Sequence, residues 1–532
     1  MNLIKNQIKQ LVQKHLVKLD SGLADLAFIV EYPTTEKFGD YTVSVALKAG
    51  KLLKLPPLEL AGKLADSLKK DTKIAKIFSK IEVVAPGFIN FYLSEEFLNN
   101  RAKEVLSQKE KFGQVVSRKS QKIQLEFISA NPTGPLTVGN GRGGFYGDVL
   151  GNVLKLCGHS VVKEYLINDA GNQIASLGHS VLKDELAVYK GEYIDELHGR
   201  LKNLVEPMAV GQWAAEIILH ELLQQTIEEG MKIKFDVWFS ENKELRESQK
   251  IEKVIAWLKA KNYLYESEGA WWFKSSEHGD TRDRVLVKGN GEFTYLAQDF
   301  AYLVNKFSER KFDLVINIWG ADHHGDVPGL LAAADVLGYK DKQIVTLMQF
   351  VRLFKDGKEV RMSKRMGTYV AMSELLEMVD HDAVRFLFLM YSNNSHINFD
   401  LNLAQERSEK NPVYYVQYAY ARISGILRQP ESVNVSLAGK LELEYQEEAE
   451  RSLLKTLLKL PEILEQISED YEVQKLPGYA IEIADKFHQF YNTCRVIDDG
   501  KANTSRLALV KLTQKVLGEV LEIIGISAPE KM

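Results

Sequence analysis

The sequence predicts a multidomain α/β protein: a parallel-sheet domain with an insertion, preceded by a small α+β domain and followed by an all-α domain. Three observations carry that expectation. The chain has 532 residues, enough for about three or four domains at roughly 100 to 200 residues each. From Gln121 onward, short apolar strands alternate with longer helical patterns, which argues for βαβ units around a parallel sheet. After about Gln405 the strand patterns vanish and only helical spacing remains.

Each element follows in order. Ile4, Ile8, Leu11, Val12, Leu16 and Leu19 recur at three- and four-residue steps between lysines, the pattern of an amphipathic helix. Residues 81–84 and 88–92 read as two strands around the Pro86-Gly87 turn, which completes a small α+β unit over the first 110 or so residues. Strands at 123–128 and 161–167, with a helix at 138–156 between them, begin the parallel sheet. Residues from about 185 to 285 break that rhythm with charged helices and an aromatic β-like patch at 270–273. An insertion between two halves of one nucleotide-binding sheet explains this. Strands at 293–296, 314–318 and 344–347 resume the alternation, and helices are expected over 441–471, 479–491 and 507–524.

Composition excludes several classes. With 45% apolar and 26% charged residues and a net charge of −4, the chain is ordinary globular material. No apolar run approaches the roughly 18 residues of a membrane-spanning helix, and no signal or transit peptide is recognisable, so a soluble cytoplasmic protein is expected. Cys157 and Cys494 lie too far apart for a CxxC zinc site or a disulfide framework. The small net charge hides an asymmetry, because residues 1–120 carry 20 basic and 13 acidic side chains. That is either a solvated lysine-rich surface or a patch for a polyanion such as nucleic acid.

Chemistry concentrates in two segments. Residues 126–144, EFISANPTGPLTVGNGRGG, follow an expected strand and open an expected helix, with Gly139, Gly141, Gly143 and Gly144 where a phosphate would meet the first backbone amides. The segment has neither the Gly-Lys-Ser/Thr ending of a P-loop nor GxGxxG spacing, which leaves a plain turn or a different nucleotide scheme. Residues 354–368, FKDGKEVRMSKRMGT, form a basic, glycine-punctuated loop after the last expected strand of the sheet. Glu126 stands at an expected strand end, and Tyr295 and Asp299 are four apart on an expected strand-to-helix element, each a weak signal alone. The run Asp322-His323-His324 raises the question of a metal. Adjacent histidines rarely converge on one ion, however, and no HExxH accompanies them, so no metal site is assigned.

The first segment resembles the active-site entry of class I aminoacyl-tRNA synthetases, and its Asn-Pro-Thr-Gly-Pro-Leu run resembles that of the arginyl-tRNA synthetases. The His-x-Gly-His element of that family falls on Thr137-Val-Gly-Asn140, so both histidines are replaced. Arg361-Met-Ser-Lys-Arg365 resembles the KMSKS loop, with Lys364 on its second lysine. The resemblance implies catalytic roles for Thr137, Asn140 and Lys364. It implies ATP contacts at Gly139, Gly141, Ser363, Lys364 and His323, and arginine contacts at Glu126, Asn131, Tyr295 and Asp299. A segment at 168–173, NDAGNQ, also matches the family without an assigned role. The run Asp382-Ala-Val-Arg385, followed by a tyrosine-rich helix, resembles the entry to the anticodon-binding domain, which points to Tyr414, Tyr418 and Arg422 as RNA contacts. Phe38-Gly-Asp-Tyr41 and the 85–90 segment match the additional domain that reaches the tRNA elbow in that family.

The implied organisation is an N-terminal tRNA-contacting domain at 1–115, a Rossmann-like catalytic domain at 116–404 and a helical anticodon-binding domain at 405–532. The implied function is ATP-dependent ligation of L-arginine to tRNA(Arg) through an arginyl-adenylate. Mg2+ would be carried mainly on ATP, and the chain is expected to act as a monomer. Because Thr137 and Asn140 depart from the motif, a catalytically weakened tRNA-binding relative is one alternative. Another class I nucleotidyl-transfer enzyme is the second.

Overall fold

The protein is described here by a computed structural model covering residues 3–108, 111–115, 120–360, 370–433 and 442–532. Its N-terminal part packs the helix Ile4–Leu19, whose apolar stripe Ile8, Val12 and Leu16 is fully buried, beside an antiparallel sheet. The sheet holds β1 (Val30–Glu31), β2 (Tyr41–Val43), β3 (Phe78–Val84) and β4 (Phe88–Leu93) in the order β1-β2-β4-β3.

The central part is a five-stranded, wholly parallel sheet. Its strands are β5 (Lys122–Glu126), β6 (Ser160–Ile167), β7 (Val237–Ser240), β11 (Leu314–Gly320) and β12 (Gln343–Met348), and β8 to β10 between them form a separate antiparallel sheet of Leu264–Ser267, Ala270–Phe273 and Arg284–Val287. The order β12-β11-β5-β6-β7 reverses between β5 and β11. At such a switch point the connections leave on opposite faces and open a crevice at the carboxyl ends of the strands. In register, Glu126 at the end of β5 lies beside Asn317 of β11 and Glu164 of β6, so a carboxylate stands at the crevice floor.

Two expectations change here. The 185–285 interval does not stand apart from the sheet, because its Val237–Ser240 pairs in parallel with β6 and forms the edge of the main sheet. Residues 293–296 are not a strand. Thr294 precedes the helix Tyr295–Leu303, and only an isolated bridge from Val287 reaches Phe293. A further small sheet, absent from the sequence reading, follows β12: β13 (Val351–Lys355) and β14 (Lys358–Val360) form a hairpin, and β15 (Ile397–Asp400) pairs in parallel with β13.

The C-terminal part is helical: Pro412–Leu427, Glu448–Leu457, Leu460–Asp470, Lys475–Thr493 and Thr504–Ile524. The helix expected across 441–471 is broken near Lys459, where Pro461 in the first turn of the next helix restarts the winding. Several polar joints hold these helices to the rest. Buried Glu462 accepts from the backbone N–H of Lys5 at 2.8 Å and from the hydroxyls of Tyr32 and Tyr41, while Lys455 pairs with Asp40 at 2.8 Å. The Phe38-Gly-Asp-Tyr41 motif, matched to a tRNA-reaching domain, thus spends Asp40 and Tyr41 on docking to the helical domain. On the other side, Arg385 is 1% exposed and pairs with Asp148 of the helix Val138–Leu156. Its Nε donates to the Ile524 carbonyl, and its guanidinium carbon stands 5.2 Å from the Phe145 ring centre.

Candidate active site

The crevice between β5 and β11 opens into a cavity of about 1060 Å³. Glu126, Asn131, Thr137, Gly139, Asn140, Tyr295, Asp299 and His323 all line it, so eight residues picked from the sequence converge on one space. Ser363 and Lys364 lie outside the described residues, together with Arg361 and Arg365. The chain that follows them is anchored at the same mouth: Ala371 bridges to Thr137, and the Met372 N–H donates to the Leu136 carbonyl at 2.8 Å.

The glycine-rich helix does two jobs. On one side, a Cβ on Gly141, Gly144, Gly147 or Gly151 would collide with Met372, Met231, Phe127 or Lys163, so these glycines allow close packing. On the other, Gly139 and Gly143 face the cavity with no atom closer than 3.6 Å and 3.9 Å to such a Cβ. Gly141, expected to touch ATP, is therefore turned towards Met372 rather than into the cavity.

Thr137 and Asn140 engage each other. The Thr137 hydroxyl accepts from the Asn140 N–H at 3.2 Å, and the Asn140 carbonyl oxygen accepts from the Thr137 N–H at 3.0 Å and from its hydroxyl at 2.7 Å. This reciprocal cap satisfies two orphan donors of the helix start and fixes the Asn140 side chain, whose amide nitrogen makes no hydrogen bond among the described residues. Thr137→Ala is expected to cost about 1 kcal/mol in denaturant unfolding, as cap removal does. A loss below a few tenths would mean that the cap does not order the helix start.

Glu126, on the opposite wall, is buried and ion-paired with Lys306 at 2.6 Å. Among the described residues, the hydrogen bond to its other oxygen comes from the Ser129 hydroxyl, at 3.4 Å. Ile128 and Ser129 both adopt left-handed backbone (φ 67° and 40°), a conformation rare for a β-branched residue, which turns the chain sharply off the end of β5. Asn131 Oδ1 accepts from Asn168 at 2.8 Å, which gives a place to the unassigned 168–173 segment. Tyr295 is 62% exposed at the rim, and its hydroxyl accepts from Gln173. Asp299 is half-buried and, among the described residues, no hydrogen bond or ion pair reaches it. Burial first, and then the nearby Glu126 charge, push its carboxyl up to about 7, with Lys306 pulling the other way. Lys306 and Tyr302 also line the cavity and were missed from sequence. Their signal was only helical spacing, since 295, 299, 302 and 306 share one face.

His323 is exposed, with Nδ1 at 3.4 Å from Asp326 and Nε2 at 3.7 Å from Asp322. Among the described residues, no group of three or more His, Cys, Asp or Glu could hold a metal. No helix among them is long and apolar enough to cross a membrane. Some 70 residues past the sheet, Tyr418 is 43% exposed and stacks on His488 with ring centres 6.3 Å apart, and Arg422 lies 4.3 Å over the Tyr491 ring. Half-buried Tyr414 shares the same helix.

Most of the chain matches known families. Residues 6–93 match the arginyl tRNA synthetase N terminal domain, 101–198 and 192–408 the class I (R) tRNA synthetase catalytic domain, and 416–532 the DALR anticodon binding domain. An arginine--tRNA ligase of Carboxydothermus hydrogenoformans is 42% identical over 96% of this chain and 95% of its own length. One of Bacillus licheniformis is 38% identical over 100% of this chain and 99% of its own. The arginyl-tRNA synthetase structure from Plasmodium falciparum, 20% identical, covers all of both chains with a TM-score of 0.80 and so shares the fold.

Proposed function

The chain belongs to the arginyl-tRNA synthetase family, and from that premise we propose that it charges tRNA(Arg) with L-arginine in the cavity between β5 and β11. The observation that carries the site assignment is Asp299. A half-buried carboxylate without a partner among the described residues, next to Glu126 and below the rim tyrosine Tyr295, calls for a cationic ligand of planar shape. Asn131, oriented by Asn168, would hold the amino-acid end.

The reaction has two halves. The arginine carboxylate attacks the α-phosphorus of ATP in line, the bond to pyrophosphate breaks, and arginyl-adenylate forms. A ribose hydroxyl of the terminal tRNA adenosine then takes the arginyl group and AMP leaves. ATP lies along the amino end of the Val138–Leu156 helix, where Gly139 and Gly143 leave room for it and free N–H groups meet phosphate. The Asn140 amide, held by its cap, and Lys364 supply donors to the charge that builds on the phosphates. His323 is assigned to the adenosine side. Mg2+ bound to phosphate oxygens, its preferred ligands, would neutralise part of the triphosphate charge. Tyr414, Tyr418 and Arg422 are assigned to unpaired anticodon bases, and the protein is assigned to the cytoplasm as a monomer.

Binding of the permanently charged arginine favours ionised Asp299 and so releases its proton. The KM for arginine is therefore expected to fall as pH rises through about 7, by about tenfold between pH 6 and pH 8, and to level off above. Asp299 is surrounded by Glu126 on β5, Tyr302 and Lys306 on its own helical segment, Glu241 after β7, and Asp326 beyond β11. Steady-state kinetics across that range test it; a flat KM would remove Asp299 from the guanidinium site.

A further inference from the structure

Beneath the cavity runs a chain of alternating charge. Arg310 Nη1 donates to Glu164 at 2.9 Å, Glu164 accepts the Tyr302 hydroxyl, and Lys306 Nζ lies 3.8 Å from the Tyr302 ring centre and 2.6 Å from Glu126 Oε2. The Lys306 and Glu126 side chains are 3% and 4% exposed, so this ammonium is walled in beside the carboxylate meant for a ligand's guanidinium. Such a lysine neutralises a carboxylate that the substrate could have neutralised, which makes its presence a question of selection rather than of charge balance alone.

Geometry answers the question. Lys306 occupies Oε2 of Glu126, while among the described residues Oε1 takes one long hydrogen bond, from Ser129 at 3.4 Å, and the Asp299 carboxylate is unengaged. With Asp299 ionised, Glu126, Asp299 and Lys306 together carry one net negative charge, the match for a single cation. A guanidinium offers N–H pairs along a flat edge and can use Glu126 Oε1 and Asp299 side by side. The ammonium of a substrate lysine reaches only to the level of arginine's guanidinium carbon. There it would meet the Lys306 ammonium, with one carboxylate oxygen fewer to accept it.

We propose that Lys306 is a positioning residue that sets amino-acid specificity: its ammonium, held by Glu126 and the face of Tyr302, reserves the inner carboxylate oxygen, so that the pocket takes a guanidinium and turns away an ammonium. This rests on the assignment of arginine to this cavity.

The test is ATP–pyrophosphate exchange by the full-length chain with tRNA present, with arginine or lysine as substrate, for wild type, Lys306→Met, Lys306→Gln, Lys306→Arg and Asp299→Ala. In Lys306→Met the arginine-over-lysine ratio of kcat/KM falls about tenfold or more and the KM for arginine rises, while the KM for ATP stays put. Lys306→Arg keeps the cation and holds the ratio near wild type. Should the uncompensated Glu126 unfold the Met variant, Lys306→Gln, which keeps a donor to Glu126 without charge, must show the same fall. An unchanged ratio in whichever of these two neutral variants folds overturns the proposal. Wild-type arginine kinetics in Asp299→Ala would instead defeat the pocket assignment itself, independently of Lys306.

Discussion

Asp299→Ala is expected to lower kcat/KM for arginine by about 10³-fold, about 4 kcal/mol, with little change in the KM for ATP. The reason is an asymmetry of replacement. The bound guanidinium keeps Glu126, but that carboxylate already shares one oxygen with Lys306, so the outer N–H groups of the ligand are left buried without an acceptor. Asp299→Asn separates charge from shape. It retains an acceptor in the same volume and should recover part of the loss, yet it should abolish the pH dependence of KM near 7, because the titrating group is gone. Steady-state arginine kinetics for both variants check this, and a loss below tenfold in the alanine variant would show that the guanidinium lies elsewhere.

The second large effect concerns how the domains are held. Arg385→Met is expected to destabilise the protein by about 3–5 kcal/mol, the usual cost of removing one partner from a buried ion pair. Burial opposes ionisation of Asp148, but Arg385 and Lys163 together hold its carboxyl below the usual range, and losing Arg385 leaves Lys163, at 2.6 Å, as its one remaining cation. The Ile524 carbonyl and the space under Gly525 lose their filling at the same time. Because Arg385 joins the Val138–Leu156 helix to the Ile524 carbonyl at the end of the C-terminal helix, slackening this joint should lower tRNA charging more than arginine activation. Denaturant unfolding of Arg385→Met, Asp148→Asn and the double variant measures the coupling, which is expected at about 1–3 kcal/mol. Additive losses would mean that Arg385 acts only as a packing residue.

Strong periodicity made the main architecture readable in advance. The helix 138–156 and the strands at 160–167, 314–320 and 343–348 fall within a few residues of their expected places, since long amphipathic or continuous apolar runs are strongly constrained. What escaped was short or depended on distant partners. Val237–Ser240 is only four residues long and is a strand because β6 offers an open edge. The β13–β15 sheet unites segments some 40 residues apart. Phe293 to Leu296 alternates like a strand, but the Tyr295–Leu303 helix packs its apolar side into the core and overrides that local pattern.

In the site, residues with a motif or a charge to announce them were found, and those acting through a neighbour were not. Glu126 stands out as a carboxylate at a strand end, while Asp299 is announced by the family resemblance. Lys306 gains its meaning only once the helix carrying Asp299 continues seven residues further on the same face. Gly141 belonged to a glycine cluster that suggested phosphate, yet its neighbour is Met372, 231 positions away in sequence. The reciprocal bonding of Thr137 and Asn140, by contrast, was latent in the three-residue spacing of a hydroxyl and an amide at a helix start. The basic N-terminal region also changed meaning in part, since Asp40 and Tyr41 of its family motif dock onto Lys455 and Glu462.

This chain is expected to charge tRNA with arginine and with no other amino acid, despite carrying Thr137 and Asn140 in place of two histidines. Aminoacylation of total tRNA by the purified full-length protein, run separately with each of the standard amino acids and ATP, tests it most directly. Charging with arginine alone is the predicted result; charging with a different amino acid, or with none, would contradict it.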